Sequence, residues 1–197
     1  MRPVKKQAIN HIEELTEQAK REWLHVPLDN VLLGVYLHRL GALMHRDFDK
    51  YCQVELKLQS SDVRVLLALG RTGPPYIRRP TDLFRALLVS SGALTKQVDR
   101  LVAKKLVTRF PNPSYGGGFL IQLTESGRKL VSEVVKGLAN GSAFATAMWT
   151  LPAQDRKAAA RFCYNAISLL ENSAPAKGRP VNKSRHKTKR RSKRTKG

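Results

Sequence analysis

A cluster of polar side chains with the right chemistry to contact nucleic acid lies between Ser90 and Leu106. Apolar residues recur there at helical spacing, which predicts one amphipathic helix over Ser90–Leu106. The residues expected to face inward are Leu94, Val98, Leu101 and Val102. The residues expected on the open face are Thr95, Lys96, Gln97, Asp99 and Arg100. Gln pairs well with adenine and Arg with guanine, so this face is a candidate base-reading surface.

The start of the same helix favours phosphate binding. Ser90 is a suitable N-cap residue, and Ser91 and Gly92 are small enough to let backbone N–H groups approach a phosphate. A preceding short helix is predicted to begin at Pro80, because proline suits a first helical turn. Its predicted buried side chains are Leu83, Phe84, Leu87 and Leu88.

Two short strands and a turn follow the polar helix. Leu106–Phe110 and Phe119–Leu123 alternate like strands, and Pro111–Gly118 is rich in turn-forming residues. Two helices and a two-stranded wing make a winged helix-turn-helix, whose second helix fits a major groove about 12 Å wide. Arg109 and Tyr115 are the wing residues that we expect to contact DNA.

Further helices are predicted on both sides of this unit. One runs from Gln7 to Trp23 and a second from Leu28 to about Lys50; the second is apolar on more than one side, which indicates a partner chain. A short helix is expected to be capped by Ser60 or Ser61. Later helices are predicted from Thr124 to about Asn140 and after Pro152.

The predicted fold is therefore mainly α with a small β-wing, and it divides into four parts. Residues 1–58 hold N-terminal and dimerisation helices, and 59–124 hold the winged helix-turn-helix. Residues 125–172 hold C-terminal dimerisation helices, and 173–197 form a basic tail expected to be disordered.

The charge of the chain favours a polyanionic partner. It carries 36 Lys and Arg against 15 Asp and Glu, a formal net charge of +21. Eleven of these cations, with no acid, lie in Ala176–Gly197, so about half of the excess belongs to the remaining chain. A cationic tail binds DNA through counterion release with little sequence preference. A low-specificity, architectural DNA-binding protein is therefore the alternative to a sequence-specific regulator.

Other classes of protein are disfavoured by what the sequence lacks. It has no Gly-rich phosphate loop before Lys-Ser/Thr, no HExxH and no nucleophile elbow, so we expect neither an enzyme nor a cofactor. Cys52 and Cys163 are far apart without a CxxC, which argues against a metal site and favours a reducing cytoplasm. Both are expected to be half-buried apolar residues; a redox sensor is the alternative. No apolar run is long enough for a membrane span, and the expected location is the cytoplasm, associated with the nucleoid.

Four segments together resemble the MarR family of transcriptional regulators: Arg79–Leu83, Leu88–Leu101, Leu106–Arg109 and Leu123–Arg128. The resemblance covers about Leu28 to Leu170. It implies an obligate homodimer with interlocked terminal helices, which binds a pseudo-palindromic operator in double-stranded DNA. It also implies a repressor that a small, aromatic, anionic ligand releases from DNA.

The wing departs from the family pattern. Family wings often carry an Asp-x-Arg pattern whose Arg enters the minor groove, whereas this chain has Ser114–Gly118 there. Either the wing contacts only phosphate, or Tyr115 packs on sugars. The helix from Ser90 to Arg100 would then carry most of the base discrimination. The long basic tail is a second departure from the usual family length.

The N-terminal helix with Trp23 resembles the branch of the family that responds to urate. That branch places an acid in the helix after the dimerisation region, where this chain is read as having Arg64. An Arg favours a carboxylate or enolate, so the expected ligand is an aromatic acid such as a hydroxylated pyridine or benzoate carboxylate. Trp23 would stack on it and His38 would donate to it. In the alternative reading Trp23 is dimer core, Arg64 a solvated charge and His38 a structural residue.

Overall fold

A computed structural model describes residues 11–112 and 118–173 of the chain. Tyr115 and the tail Ala176–Gly197 lie outside the described residues. The chain forms two compact units, one ending at Thr150 and one beginning at Leu151. The boundaries expected at 58, 124 and 172 stay predictions.

Two helices begin the first unit. They are α1 (His11–Glu22) and α2 (Asp29–Val54), and α2 runs four residues past the predicted end at Lys50. Only Leu32 and Cys52 of α2 are buried, although many of its residues are large and apolar. The exposed ones are Val31, Leu33, Leu37, Leu40, Leu43, Met44 and Val54. An apolar surface of this kind on one chain marks an interaction site.

The helix α3 (Ser60–Gly70) lies at the centre of the core. Most of its residues are buried, namely Asp62, Val63, Val65, Leu66, Ala68 and Leu69. The prediction that Ser60 or Ser61 caps it was wrong, because the N-cap residue is Gln59 and no side chain makes a capping hydrogen bond. Burial of this apolar helix, not its cap, is what stabilises it.

The winged helix follows α3. Its elements are β1 (Ile77–Arg78), α4 (Pro80–Ala86), α5 (Ser91–Ala103), β2 (Val107–Pro111) and β3 (Phe119–Leu123). The sheet is antiparallel with the order β1-β3-β2, and Arg109 of β2 pairs with Ile121 of β3. The strand β1 was not predicted. A strand of two residues is too short to show an alternation of apolar and polar side chains, and it is recognised only by its pairing with β3.

Three details of the winged helix correct the sequence reading. Leu88, expected in the core, is 89% exposed and has a φ of 54°, because it forms the turn between α4 and α5. Val102, expected to face inward, is exposed. The predicted end of the helix at Leu106 was also wrong, since Lys105 adopts a φ of 56° that turns the chain into β2.

The remaining helices are α6 (Glu125–Gly141) and α7 (Ala143–Trp149) in the first unit and α8 (Ala153–Ser173) in the second. The helix predicted to begin at Thr124 begins at Glu125, and Thr124 is its cap: the Thr124 Oγ1 accepts a hydrogen bond of 3.0 Å from the Gly127 amide. The helix α7 was not predicted. The large apolar residues Phe162, Ile167 and Leu170 of α8 are exposed. Among the described residues, no helix is long and apolar enough to span a membrane.

Candidate nucleic-acid interface

The N-terminal half of α5 is capped by a side chain, and its first turn is exposed. The Ser90 Oγ accepts a hydrogen bond of 3.2 Å from the Ala93 amide, which confirms the predicted cap. Ser91 and Gly92 are exposed, and no atom lies within 4 Å of the position that a Gly92 Cβ would take. The first turn of α5 is therefore open to a phosphate.

Thr95 and Lys96 are exposed on the next turn of the same helix. The Thr95 hydroxyl donates to the Ser91 carbonyl at 3.0 Å, which leaves its oxygen able to accept a further bond. Within the described residues, no acidic side chain forms an ion pair with Lys96. These two side chains are thus available to an external partner.

Gln97 does not belong to this exposed face. It is 7% exposed, although the helical pattern had placed it beside Lys96. Its side-chain oxygen has no hydrogen-bond partner among the described residues. Because α5 packs against both α3 and α4, the buried side of this helix is wider than the positions of its apolar residues predict, and it includes Gln97.

Arg100 is held inside the domain by a residue that the sequence reading missed. Its Nε and Nη2 donate to the two carboxylate oxygens of Asp62, at 2.9 and 2.5 Å. Asp62 is 1% exposed and the Arg100 side chain 37% exposed, so this bidentate pair joins α3 to α5 through a buried carboxylate and an arginine that reaches the surface. The hydrogen bond to Asp62 is the largest cause that raises the pKa of Arg100.

Asp62 also changes the interpretation of Arg64. The sequence reading assumed that Arg64 stands where an acid is expected in this helix. The helix does carry an acid, two residues earlier, and it faces Arg100. The available signal was an Asp directly before the apolar positions of this helix, since such a residue is almost never buried without a cationic partner.

Arg109 of β2 reaches back to α5. Its Nη1 lies 2.6 Å from Asp99 Oδ1 and its Nη2 donates to the Thr95 carbonyl at 3.4 Å. Its guanidinium carbon lies 5.0 Å from the ring centre of Phe119 on β3. The base of the wing is thereby connected to the helix that carries the exposed polar face.

A cavity of about 400 Å³ lies within the first unit, and Arg64 is part of its wall. Its lining residues are Gly41, Met44, His45, Asp47, Phe48, Arg64, Leu138, Ser142 and Phe144. The Arg64 Nη2 contacts His45 Nδ1, and the guanidinium lies 5.7 Å from the Phe48 ring centre. Because a guanidinium only donates, His45 Nδ1 accepts, and Nε2 faces Asp49 at 3.2 Å.

The other two predicted ligand residues do not join Arg64. Trp23 follows α1 and is 52% exposed, and His38 is exposed on α2. Neither lines the cavity, whereas His45 and Phe48 do. On α2, His45 lies about two turns after His38 and Phe48 about three turns after it. Only the position of α3 shows which part of α2 faces Arg64.

The cysteines differ from each other, so the expectation that both are half-buried was wrong. Cys52 is fully buried and Cys163 exposed. Burial, with a contribution from Asp49, raises the pKa of the Cys52 thiol to about 11 against an opposing effect of Arg64. This thiol is protonated at neutral pH and is therefore a poor nucleophile. No group of three potential metal-ligating side chains occurs in residues 11–112 and 118–173.

Comparison with known proteins gives a consistent result. A family model described as MarR family matches residues 56–114. The chain is 43% identical over 101 residues to the multiple antibiotic resistance protein MarR of Escherichia coli (strain K12). The aligned residues make up 51% of this chain and 67% of that protein. It is 28% identical over 125 residues to the HTH-type transcriptional regulator PecS of Dickeya dadantii (strain 3937), which covers 64% of this chain and 75% of that protein.

Solved structures of MarR from E. coli also resemble this chain. The apo form of wild-type MarR from E. coli superposes with a TM-score of 0.55 at 25% identity, covering 73% of this chain and 96% of that one. A mutant of the same protein complexed with operator DNA gives a TM-score of 0.54 at 25% identity, covering 76% and 99%. The winged helix, the terminal helices and these relatives lead to one conclusion. The chain belongs to the MarR family, whose members are transcriptional regulators and not enzymes.

Proposed function

We propose that the chain is a dimeric repressor that binds a pseudo-palindromic operator with the N-terminal half of α5. The observation that supports this most directly is the open first turn of α5, followed by the exposed Thr95 and Lys96. A helix presented this way fits the major groove, and a two-fold dimer places two such helices about 34 Å apart. The E. coli relative was solved in complex with operator DNA, which supports an operator as the partner of this chain.

The structure leads us to divide the residues expected to bind DNA into two groups. The direct contacts that we propose are Ser90, Ser91, Gly92, Thr95, Lys96 and, in the wing, Tyr115. Gln97, Arg100 and Arg109 are proposed to act indirectly, because Gln97 is buried and the other two form ion pairs within the chain. Base discrimination then depends on few side chains, and backbone N–H groups at the start of α5 hold the phosphates.

The second subunit in this proposal is another copy of the chain. The exposed apolar side chains of α2 in the first unit, and of α8 in the second, need a partner to leave water. In this family such helices form the dimer. The two operator half-sites would then be bound by two identical α5 helices. The proposed location is the cytoplasm, in association with the nucleoid.

We further propose that a small aromatic acid, such as a hydroxylated pyridine or benzoate carboxylate, releases the protein from DNA. The cavity beside Arg64 supports this, since about 400 Å³ falls within the range of small-molecule sites. Its aromatic side chains suit a ring, and the guanidinium suits a carboxylate. Trp23 and His38 stay predictions as ligand contacts. Release follows if the ligand binds a DNA-incompetent arrangement more tightly, and DNA affinity falls by that difference.

Selection of binding sites from random duplexes tests DNA recognition. The wild-type chain is expected to enrich a two-fold symmetric sequence whose half-site centres lie about one helical turn apart. Lys96→Ala is expected to weaken binding to the enriched duplex. Lys136→Ala removes the same charge from α6, outside the winged helix, and is the matched control. Enrichment of no sequence, with equal binding to every duplex, would refute the proposal.

That same result would favour the alternative, a low-specificity architectural protein. The observation behind the alternative is the tail Ala176–Gly197 with its eleven cations. Such a protein loses most of its affinity when the tail is removed and shows a steep dependence on salt with every sequence.

A thermal-shift screen of aromatic acids tests the ligand. A hit is expected to stabilise the wild-type chain and to release it from the enriched duplex, with Arg64→Met abolishing both effects. Arg71→Met removes the same charge just after α3, away from the cavity lining, and is expected to leave both effects unchanged. A hit that acts equally on the Arg64 variant would contradict the assignment of this cavity.

A further inference from the structure

The ion pair between Asp99 and Arg109 has an unusual position for an acid near DNA. Asp99 is the one acidic residue in the sequence of α5, and it lies one helical turn after Thr95. A carboxylate on a helix that faces phosphates weakens DNA binding through charge repulsion. This unfavourable effect on DNA binding suggests that Asp99 has a second role, and its ion pair with Arg109 indicates which.

Those contacts all converge on Arg109. One side of the guanidinium is held by Asp99 Oδ1 at 2.6 Å, and a second donor reaches the Thr95 carbonyl at 3.4 Å. The plane also lies over Phe119, so β2, β3 and α5 meet at one side chain. Asp99 is about half exposed and Arg109 less so. The Asp99 charge is thereby neutralised by a group that cannot leave without loosening the wing.

We propose that Asp99 and Arg109 form a clamp that sets the position of the wing strands relative to α5, and that this clamp determines how well the protein discriminates its operator. The inference rests on the proposed function, since it concerns how α5 and the wing dock together. Arg109 is then a positioning residue and not a direct contact to DNA. Orienting two docking elements in advance reduces the cost of ordering them on DNA.

The clamp makes a prediction opposite to that of simple electrostatics. If Asp99 only repelled DNA, Asp99→Ala would tighten binding to every duplex. With the clamp, Asp99→Ala weakens binding to a selected operator by about two- to fivefold per clamp, the range for a partly exposed ion pair. A dimer contains two clamps, so the total is roughly four- to 25-fold. Binding to random duplexes is expected to be unchanged or tighter, so the ratio of specific to non-specific affinity falls.

A double-mutant cycle separates positioning from direct contact. Arg109→Met should weaken operator binding in the wild-type background and have a much smaller effect in the Asp99→Ala background, because the ion pair is already lost and only the contacts of Arg109 with Thr95 and Phe119 remain. If Arg109 contacts phosphate itself, it weakens binding equally in both backgrounds, which overturns the proposal. Asp99→Ala binding the operator as tightly as wild type also overturns it. Glu133→Ala removes an exposed acid from α6 and is the control for charge alone.

A second readout needs no DNA. Amide hydrogen exchange in β2 and β3 is expected to be faster in Asp99→Ala than in wild type or Glu133→Ala, at an unchanged melting temperature. Asp99→Asn keeps the size of the side chain and repeats the comparison with less perturbation. Equal protection of the strands in all these proteins would overturn the clamp. A wild-type chain that enriches no sequence refutes the proposed function instead, and the exchange measurement still decides the clamp.

Discussion

Replacing Arg100 by Met tests whether this residue supports the domain from inside or reads DNA. The substitution keeps the length of the side chain but leaves the Asp62 carboxylate, which is 1% exposed, without its two donors. Removing one partner of a fully buried ion pair costs about 3–5 kcal/mol. Because the Arg100 side chain is 37% exposed, we expect the lower end, about 3 kcal/mol.

The loss is measured as a change in the free energy of unfolding by chemical denaturation. A domain of this size is expected to lose roughly 6–12 °C in melting temperature for that energy. All proteins must be compared at one chain concentration, because dissociation of a dimer makes the melting temperature concentration-dependent. Lys96→Met removes the same charge from the exposed face of α5 and is expected to change stability little. Asp62→Leu with Arg100→Met restores an apolar pair and is expected to recover much of the loss.

Binding of the same variants to DNA completes the test. With enough folded protein, Arg100→Met should weaken binding to all sequences evenly, since the helix is less well held. If Arg100→Met is as stable as wild type and costs about 1–3 kcal/mol at one base position only, Arg100 reads a base. That outcome would refute the internal role derived from the Asp62 pair.

Three further predictions concern the tail, a buried thiol and a close backbone contact. Deleting Ala176–Gly197 should lower affinity for an operator and for random DNA by the same factor, and it should reduce the slope of log affinity against log salt. Loss of operator binding alone would contradict the prediction that the tail adds affinity without sequence preference. Cys52 should resist thiol reagents in the folded chain at pH 8 and react once the chain is unfolded, and labelling at the same rate in both states would argue against burial of Cys52. The fold raises the pKa of Cys52 from 9.0 to about 11. The contribution of the neutral thiol to the free energy of unfolding is therefore fully present below pH 9 and is lost as the pH rises from 9 to 11. The difference in unfolding free energy between wild type and Cys52→Ala should therefore shrink over that interval by at most about 3 kcal/mol. Gly127→Ala should destabilise the chain by about 1–3 kcal/mol, because the added Cβ would collide with the Leu106 carbonyl oxygen; a melting temperature equal to wild type would show that the backbone yields there.

The elements that were predicted correctly are those with a local cause. Ser90 and Thr124 cap their helices through hydrogen bonds to amides three residues along, and such contacts depend only on neighbouring sequence. Pro80 begins α4 for the same local reason. The mainly α fold with a small wing followed from these signals, and the family comparisons confirm it.

The failures have a common cause of the opposite kind. A helical period states which residues share a side of a helix, but not how far round the helix its neighbours pack. Gln97 was therefore placed outside and is buried, and Val102 was placed inside and is exposed. The strand β1 was missed because a two-residue strand exists only through its pairing with β3. The helix α7 is seven residues long, too short to show a clear period.

The candidate site shows the same division between local and long-range effects. Sequence alone determined the helix that presents Thr95 and Lys96, its cap, and the excess of positive charge, since each depends on residues that are close along the chain or on a count of charges. Only the tertiary structure decided what the arginines do. Asp62 is 38 residues from Arg100, Asp99 ten from Arg109, and His45 19 from Arg64. No periodicity connects such pairs, because the packing of α3 and the wing against their neighbours brings them together. An arginine that appears free to bind DNA in the sequence can therefore be already paired within the fold.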